Sequence, residues 1–377
     1  MLRSRYPAFR RLHLGCLLVA GALASQLAIA ETGSGHIDAK RFAQLDRAMQ
    51  KQIEDGKLAG VDTLIFHDDE VVHRQLTGYK NLAAEAPLTE DTLYKIFSLT
   101  KPITGTALLM LYEEGRFQLD DPVEKYIPEF KGLQVAKQDG PDGKPVTEPA
   151  NHPVTIRELM THTGGFTYGR FSQSQVDSLY VAADVQNPDT TLADMIQKLK
   201  DIPLRQQPGT QWHYSVSVDI QARLVEILSG KPFDVFLKER IFQPLGMKDT
   251  DFYVPKEKAE RLATSYRPTE DGLQPVPNDP FLAKPNFLNG GGGLVSSMSD
   301  YLRFARMLLG EGEVDGVRLL KPETVRMMRS DQLPEGVDGP NWAPGNRFGL
   351  NVAVVTDSEK AGHLPEGTYW WWGIQGT

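Results

Sequence analysis

The sequence predicts an α/β (α+β) fold in which helices flank an antiparallel sheet and a mostly helical subdomain is inserted between the strands. Residues 61–66 and 71–76 are β-rich runs on either side of Asp68 and Asp69, a pattern typical of a hairpin. Apolar residues recur at helical spacing before and after it. From about residue 120 to 251, helical patterns alternate with connections rich in proline and glycine, which indicates the insertion.

Four helices are predicted from apolar residues at spacings of three and four. The first covers residues 39–55, the second starts near Ser98 and stops before Gly115, the third is closed by Gly230, and the fourth follows residue 294. Their apolar positions are Phe42, Leu45, Met49 and Ile53; Ile103, Ala107, Met110 and Leu111; Ile220, Leu224, Ile227 and Leu228; and Tyr301, Phe304, Ala305, Leu308 and Leu309. Ser297 and Asp300 predict a capping box at the start of the fourth helix.

Composition limits the classes of partner. The 377 residues are 40% hydrophobic and 24% charged, which is ordinary for a globular protein, and the formal net charge is −8. Because phosphate binding needs a concentrated positive surface, nucleic acid is not an expected partner. A small-molecule ester or lactam is the expected partner, and the sequence leaves the oligomeric state open.

Residues 1–30 have the pattern of a cleavable signal peptide. Arg3, Arg5, Arg10 and Arg11 form a basic start, residues 14–27 are apolar, and residues 28–30 (Ala-Ile-Ala) fit a cleavage site after Ala30. The mature chain would be one domain over residues 31–377, periplasmic or secreted, without stable membrane insertion. Since Cys16, the only cysteine, lies in the leader, disulfides and thiol catalysis are excluded from the mature chain.

Ser98 and Lys101 form the first candidate catalytic pair. Three residues apart on the first turn of a helix, the hydroxyl and the amine share one face. The unpaired N–H groups at the start of the helix favour negative charge beside the serine. An amine can act as a base near neutral pH if burial lowers its pKa. The spacing alone is weak support for catalysis, because such pairs also occur by chance.

Further segments accompany this pair in order along the chain. They are residues 94–104, residues 119–130, Thr161-His162-Thr163-Gly164-Gly165, Pro208-Gly209-Thr210, Tyr214-Ser215 and Pro244-Leu245-Gly246-Met247. In order and approximate spacing they resemble the serine β-lactamase-like hydrolases, of the class C β-lactamase and family VIII esterase type. The resemblance runs from about residue 40 to the last residue. It implies a β-lactamase/transpeptidase-like fold, with the helical subdomain at approximately residues 120–290.

The resemblance also implies roles for three side chains. Ser98 matches the acylated nucleophile and Lys101 the lysine that helps to deprotonate it. Tyr214 matches the tyrosine that carries the proton to the leaving group and activates the hydrolytic water. A phenol acts in this way at neutral pH if a nearby ammonium lowers its pKa, and Lys101 is the expected ammonium.

A third motif is expected on an edge strand that lines the active site. Trp371, Trp372 and Gly373 match the tryptophan, glycine and glycine of related esterases and are the expected substrate-binding residues, although Trp372 replaces the usual glycine. By the same alignment, the backbone N–H groups of Ser98 and Ile374 form the oxyanion hole, which supplies hydrogen bonds to the developing charge.

Two departures from the lactamase pattern concern the substrate. Trp371 stands where lactamases carry a lysine, and Val216 stands where class C lactamases carry an asparagine. Both missing groups would bind an acylamino carboxylate, and an ester with an apolar acyl part needs neither. The sequence therefore predicts a carboxylesterase, with a β-lactamase, a D-Ala-D-Ala carboxypeptidase or an acyltransferase at the same site as alternatives. A sensor that acylates without turnover is a further alternative.

Three other features do not indicate sites of their own. Residues 290–293 are four glycines but lack the Lys-Ser/Thr that follows in a phosphate-binding loop. His162 is expected to brace a loop, because the chain has no Gly-x-Ser-x-Gly nucleophile elbow. No metal-ligand motif such as His-Glu-x-x-His is present, so no metal or cofactor is expected.

The resemblance also implies something about the end of the chain. Members of the family continue beyond the third motif with further strands and a long helix, so the 377-residue chain is expected to be truncated at its C-terminus. Such a chain would expose unpaired backbone, with low solubility or activity as the expected result.

Overall fold

The computed structural model of the protein describes residues 39–377. The predicted signal peptide therefore lies outside the described residues. Among residues 39–377, no helix is both long and apolar enough to cross a membrane.

Ten α-helices occur within the described residues. They are α1 (Ala39–Glu54), α2 (Thr100–Glu113), α3 (Ile156–Met160), α4 (Gln175–Ala182), α5 (Leu192–Leu199), α6 (Ser217–Ser229), α7 (Phe233–Leu237), α8 (Gln243–Leu245), α9 (Met298–Leu309) and α10 (Pro322–Met328). A segment of π-helix, Lys238–Phe242, joins α7 to α8.

Fourteen β-strands accompany the helices in the same part of the chain. They are β1 (Gly60–His67), β2 (Glu70–Asn81), β3 (Ala86–Pro87), β4 (Leu93–Lys95), β5 (Gln134–Gln138), β6 (Val146–Pro149), β7 (Ser265–Thr269), β8 (Gly272–Val276), β9 (Val295–Ser297), β10 (Glu313–Val314), β11 (Val317–Arg318), β12 (Asn346–Phe348), β13 (Ala353–Val355) and β14 (Tyr369–Trp370).

The paired strands are antiparallel, as predicted, but they form several separate small sheets. β1, β2 and β3 form one, and β12, β13 and β14 form another. β4 pairs with β9, and three two-stranded hairpins complete the set. The predicted hairpin is β1–β2, with Asp68 and Asp69 both at positive φ in its turn. Short polar residues tolerate that conformation best, which explains the acidic turn.

Helix α2 lies at the centre of the molecule. The residues from Thr100 to Leu111 are all buried, although only one apolar face was predicted from the spacing of Ile103, Ala107, Met110 and Leu111. A helix that is apolar or small on every side is surrounded by protein rather than placed at the surface. α2 packs against α6, and both helices contribute to the main hydrophobic core.

The third and fourth predicted helices correspond to α6 and α9. Gly230 follows α6 at a φ of 70°, the left-handed conformation that glycine adopts most readily. Leu309, predicted on the apolar face of α9, is 60% exposed. Ser297 caps α9 by accepting from the N–H of Asp300, but the Asp300 carboxylate accepts from Asp249 and Thr250, so the capping box is only half formed.

The connection between β4 and α2 carries the candidate nucleophile. A single 3₁₀ turn, Phe97–Leu99, follows β4 and leads directly into α2. The partner strand β9 follows the four glycines, so β4–β9 pairing brings the glycine run beside this turn. The pairing of two short strands therefore places residues 97–101 next to residues 290–293.

Candidate active site

Ser98 lies in the 3₁₀ turn at the start of α2 and is partly exposed. Phe97, the residue before it, has a φ of 44°, in the left-handed region that a phenylalanine rarely occupies. The chain turns sharply at this point from strand to helix. The hydroxyl group therefore lies at the start of the helix, where N–H groups without intrahelical partners favour negative charge.

Lys101 is almost completely enclosed, with 1% of its surface exposed. Its Nζ donates to Ser98 Oγ at 3.2 Å and to the carbonyl oxygen of Gly291 at 2.5 Å. The predicted placement of the hydroxyl and the amine on one face of the helix is present in the structure. The glycine run, dismissed as a phosphate site, supplies one of the hydrogen-bond acceptors of the lysine.

Burial lowers the pKa of the Lys101 ammonium to about 7, although the negative charge of Asp219 opposes the change. Asp219 is itself completely buried, and burial raises the pKa of its carboxyl while the charge of Lys101 lowers it. Removal from water disfavours the charged form of each group. An uncharged amine is therefore accessible near neutral pH, within hydrogen-bonding distance of a hydroxyl.

Tyr214 completes the group, since its Oη lies 2.6 Å from Ser98 Oγ. Lys101 Nζ lies 4.5 Å from the centre of the Tyr214 ring. Burial raises the pKa of the Tyr214 phenol well above its usual range, more than the hydrogen bond to Ser98 lowers it. The expectation that a Lys101 ammonium lowers this pKa was wrong, because burial of the phenol raises the pKa and outweighs the contributions that lower it.

Asp219 and Tyr168 were missed by sequence analysis. A Cβ on Gly291 would lie 2.7 Å from Tyr168 Oη, 3.3 Å from Asp219 Oδ2 and 3.4 Å from Lys101 Nζ, so these three side chains converge on one backbone position. Asp219 Oδ1 also accepts from the N–H of Gly291 at 3.1 Å. The only sequence signal for Asp219 is its place five residues after Tyr214, in the first turn of α6. Tyr168 has no such signal.

His162 packs behind the site rather than beside Ser98. Its ring centre is 5.0 Å from that of Tyr214, and its Nδ1 is 3.2 Å from Ser215 Oγ. Burial lowers the pKa of His162 well below its usual value, so the ring is neutral. A neutral ring packed against Tyr214 fits the predicted bracing role better than that of a base for Ser98.

The third motif departs from the predicted edge strand. β14 ends at Trp370, so residues 371–373 lie beyond the strand and residues 374–376 form a turn. Gly373 is buried so closely that a Cβ there would lie 2.5 Å from the carbonyl oxygen of Ile96, two residues before Ser98. Ile374, the predicted second oxyanion donor, is 57% exposed, and within residues 39–377 its N–H makes no hydrogen bond.

Aromatic rings surround Tyr214. The rings of Tyr168, Phe171, Trp212 and Trp371 have centres between 5.2 and 6.1 Å from that of Tyr214. Trp372, the second of the three predicted substrate-binding residues, stacks on Trp342 instead, at 5.1 Å and 24°. Val216 is completely buried at the start of α6.

This arrangement is suited to nucleophilic chemistry. A hydroxyl contacts both a buried amine of lowered pKa and a neutral phenol, which together can accept, hold and return a proton. In the part of the chain that the structure describes, no group of three or more histidine, cysteine, aspartate or glutamate residues is arranged to hold a metal ion.

Comparisons with known proteins cover most of the chain. The family model described as Beta-lactamase matches residues 45–377. Protein Rv1367c of Mycobacterium tuberculosis is 39% identical over 337 residues, which cover 85% of this chain and 82% of that protein. Esterase EstB of Burkholderia gladioli is 30% identical over 359 residues, which cover 89% of this chain and 85% of the esterase. Esterases, acyltransferases and carboxypeptidases all occur among the relatives.

A solved structure shares the architecture. It is that of "EstCE1, a hydrolase with promiscuous acyltransferase activity", with a TM-score of 0.76, 24% identity and coverage of 88% of both chains. At this identity the similarity concerns the fold. The predicted β-lactamase/transpeptidase-like fold class is confirmed.

Replacing Gly291 by alanine tests the convergence of side chains at that position. We expect Gly291→Ala to lower the free energy of unfolding by ~1–3 kcal/mol, because an added methyl group forces Tyr168, Asp219 and Lys101 apart. Gly292→Ala is the matched control: the nearest atom to its Cβ, the carbonyl carbon of Phe97, is at 3.6 Å. Urea denaturation measures both. Equal stabilities of the two variants would contradict the predicted crowding.

Proposed function

The chain belongs to the Beta-lactamase family, and from that membership we propose that it is a serine hydrolase that cleaves carboxylic esters through an acyl-enzyme on Ser98. The observation that carries the proposal is the contact of Ser98 Oγ with both Lys101 Nζ and Tyr214 Oη, at 3.2 and 2.6 Å. Esterase relatives support a hydrolase in general.

In the proposed acylation, uncharged Lys101 accepts the proton of Ser98 as Oγ bonds to the ester carbonyl carbon. The backbone N–H groups of Ser98 and Ile374 are the proposed donors to the resulting oxyanion. The bond to the alcohol oxygen then breaks. The leaving alcohol takes a proton from Tyr214, which regains one from Lys101.

Deacylation reverses these transfers with water. Tyr214 accepts a proton from the attacking water and passes its own to Lys101, and Ser98 takes a proton from Lys101 when the acyl bond breaks. The raised pKa of Tyr214 supports a relay in which the phenol is neutral between transfers and holds no lasting charge.

Two features support an ester rather than a lactam as substrate. Trp371, in the position of the lactamase lysine, places its ring centre 5.6 Å from that of Tyr214, so an aromatic surface takes the place of a cation. Val216 is buried and presents no amide to a substrate. A neutral ester needs neither of the missing groups.

Acyl transfer is the second candidate function. It requires only that an alcohol or amine replaces water in the second step, and an acyltransferase, calJ of Penicillium decumbens, is 29% identical to this chain. The aromatic surroundings of Tyr214 would favour such an acceptor if it is apolar. Adding an acceptor alcohol to an ester assay and measuring the transfer product separates the two functions.

The proposed organisation has residues 120–290 as an inserted subdomain with the active site in the groove beside it. Ser98 and Lys101 precede this segment, Tyr214 and Asp219 lie within it, and Gly291 follows it. Contacts between these residues therefore join the segment to the rest of the molecule.

Replacing the nucleophile is the direct test. We expect Ser98→Ala to lower ester hydrolysis by at least ~10³-fold, because no other group forms the acyl bond. Mass spectrometry after treatment with a fluorophosphonate should show one adduct, on Ser98, in the wild type and none in the variant. Ser178→Ala, which removes a hydroxyl from the exposed surface of α4, is the control.

Two results would contradict the proposal. One is ester cleavage by Ser98→Ala at the wild-type rate. The other is hydrolysis of nitrocefin by the wild type with higher kcat/KM than p-nitrophenyl butyrate, which would favour a lactamase.

The pH dependence of kcat/KM tests the state of Lys101. We expect activity to rise with pH through about 7, because only the deprotonated amine can accept the serine proton. Asp219→Asn should move this limb to lower pH, since the lost negative charge had favoured the ammonium, while an asparagine oxygen can still accept from Gly291 N–H. Asp120→Asn, whose carboxylate is 72% exposed beside Arg157, is the control. If the activity of Asp219→Asn rises at the same pH as that of the wild type, the proposed effect of the Asp219 charge on the pKa of Lys101 is contradicted.

We also propose that the protein is exported to the periplasm or secreted after cleavage following Ala30. The basic and apolar segments of residues 1–30 support this. N-terminal sequencing of the mature protein should begin at Glu31, and a mature protein that retains Met1 would contradict cleavage.

A further inference from the structure

Four tryptophans form a continuous surface that leads away from Tyr214. Trp342 is at its centre, with ring centres at 6.2 Å from Trp212, 5.9 Å from Trp371 and 5.1 Å from Trp372. Trp342 is 38% exposed. These four residues, Trp212, Trp342, Trp371 and Trp372, are called the tryptophan wall below.

The wall begins at the reacting group. Trp371 and Trp212 lie 5.6 and 6.1 Å from the Tyr214 ring, and Tyr214 Oη contacts Ser98 Oγ. When the carbonyl carbon of a substrate lies at Ser98, the groups attached to its ester therefore lie close enough to contact the wall.

Trp372 adds a further ring to the wall. It replaces a glycine usual in the esterases that the sequence resembles, and its ring stacks on Trp342 at an interplanar angle of 24°. Trp370 is not counted in the wall; its indole N–H donates to Asn346 Oδ1 at 2.8 Å. The additional indole thus extends the aromatic surface by one ring beyond Trp342.

The spacing of the rings indicates the kind of group that binds. Aromatic rings also bind quaternary ammonium ions, but they do so as a cage with room between the rings. Here Trp342 contacts each of the other three rings directly, with centres 5.1 to 6.2 Å apart, so no space for a cation remains between Trp342 and any of them. A flat aromatic group can stack on such a surface or meet it edge-on.

We propose that the tryptophan wall is the specificity-determining surface of the active site, and that it selects neutral esters carrying a planar aromatic group. The proposal rests on the proposed ester hydrolysis at Ser98. The aromatic group is on the acyl or on the alcohol side of the ester, and both positions place it next to the same rings.

Matched pairs of esters test the preference on each side. Ethyl phenylacetate is compared with ethyl cyclohexylacetate for the acyl side, and benzyl acetate with cyclohexylmethyl acetate for the alcohol side. The two rings of each pair are similar in size, but only phenyl is flat. In at least one pair we expect kcat/KM of the wild type to be about three- to tenfold higher for the phenyl ester, the range that aromatic pairing adds to burial.

Variants of Trp372 test the source of the preference. In Trp372→Gly the ratio of phenyl to cyclohexyl kcat/KM should fall towards one, while Trp372→Phe should keep most of it because a ring remains. Trp342→Leu, which removes the stacking partner, should also lower the ratio and provides a second test if Trp372→Gly does not fold. Tyr79→Leu removes an exposed ring on β2 and should leave the ratio unchanged.

The outcomes separate this inference from the proposed function. A wild type that cleaves none of the four esters refutes the ester hydrolase. If the wild type cleaves them with phenyl-to-cyclohexyl ratios of kcat/KM near one, or if Trp372→Gly keeps the full ratio, only the proposed selectivity of the tryptophan wall is refuted. Faster cleavage of acetylcholine than of both neutral acetates also refutes it, because the rings would then act as a cation site.

Discussion

The chemistry of the candidate active site depends on the burial of one amino group. Lys101 Nζ has almost no contact with water, and its hydrogen bonds go to Ser98 Oγ and the carbonyl of Gly291. An isolated ammonium in such a place would be costly, so the amine becomes easier to deprotonate. The same enclosure that would penalise a structural lysine makes this one a suitable base.

That enclosure depends on several parts of the chain. Helix α2 has to be buried on every side, Gly291 has to lack a side chain, and Asp219 has to face the amine from α6. Asp219 is held in turn by Gly291 N–H and by Gln186 Nε2. Because these groups are far apart in sequence, the lowered pKa of Lys101 is a property of the folded chain.

The parts of the site that depend on local spacing can be predicted from the sequence. Ser98 and Lys101 meet because three residues on a helix start place them on one face, and Tyr214 was found through its motif. Asp219 was missed because an acidic residue in the first turn of a helix is common for reasons unrelated to catalysis. The pKa of Tyr214 was predicted in the wrong direction because burial is a tertiary property.

The same limit applies to the fold. The hairpin and the helices follow from periodicity, which is local. The full burial of α2, the exposure of Leu309 and the end of β14 at Trp370 depend on what packs against each element. Periodicity could not predict the partner of the Asp300 carboxylate, which lies some fifty residues away in sequence.

Phe97 holds its left-handed backbone only because the surrounding structure imposes it, and such a conformation costs about 1–3 kcal/mol in a residue other than glycine. Its ring makes an edge-on contact with Phe281, whose ring centre is 6.1 Å away, in the connection that follows β8. On warming, loss of the contact between Phe281 and Phe97 would let the backbone at Phe97 relax while α2 keeps its hydrogen bonds. Such a loss would make thermal inactivation precede thermal unfolding.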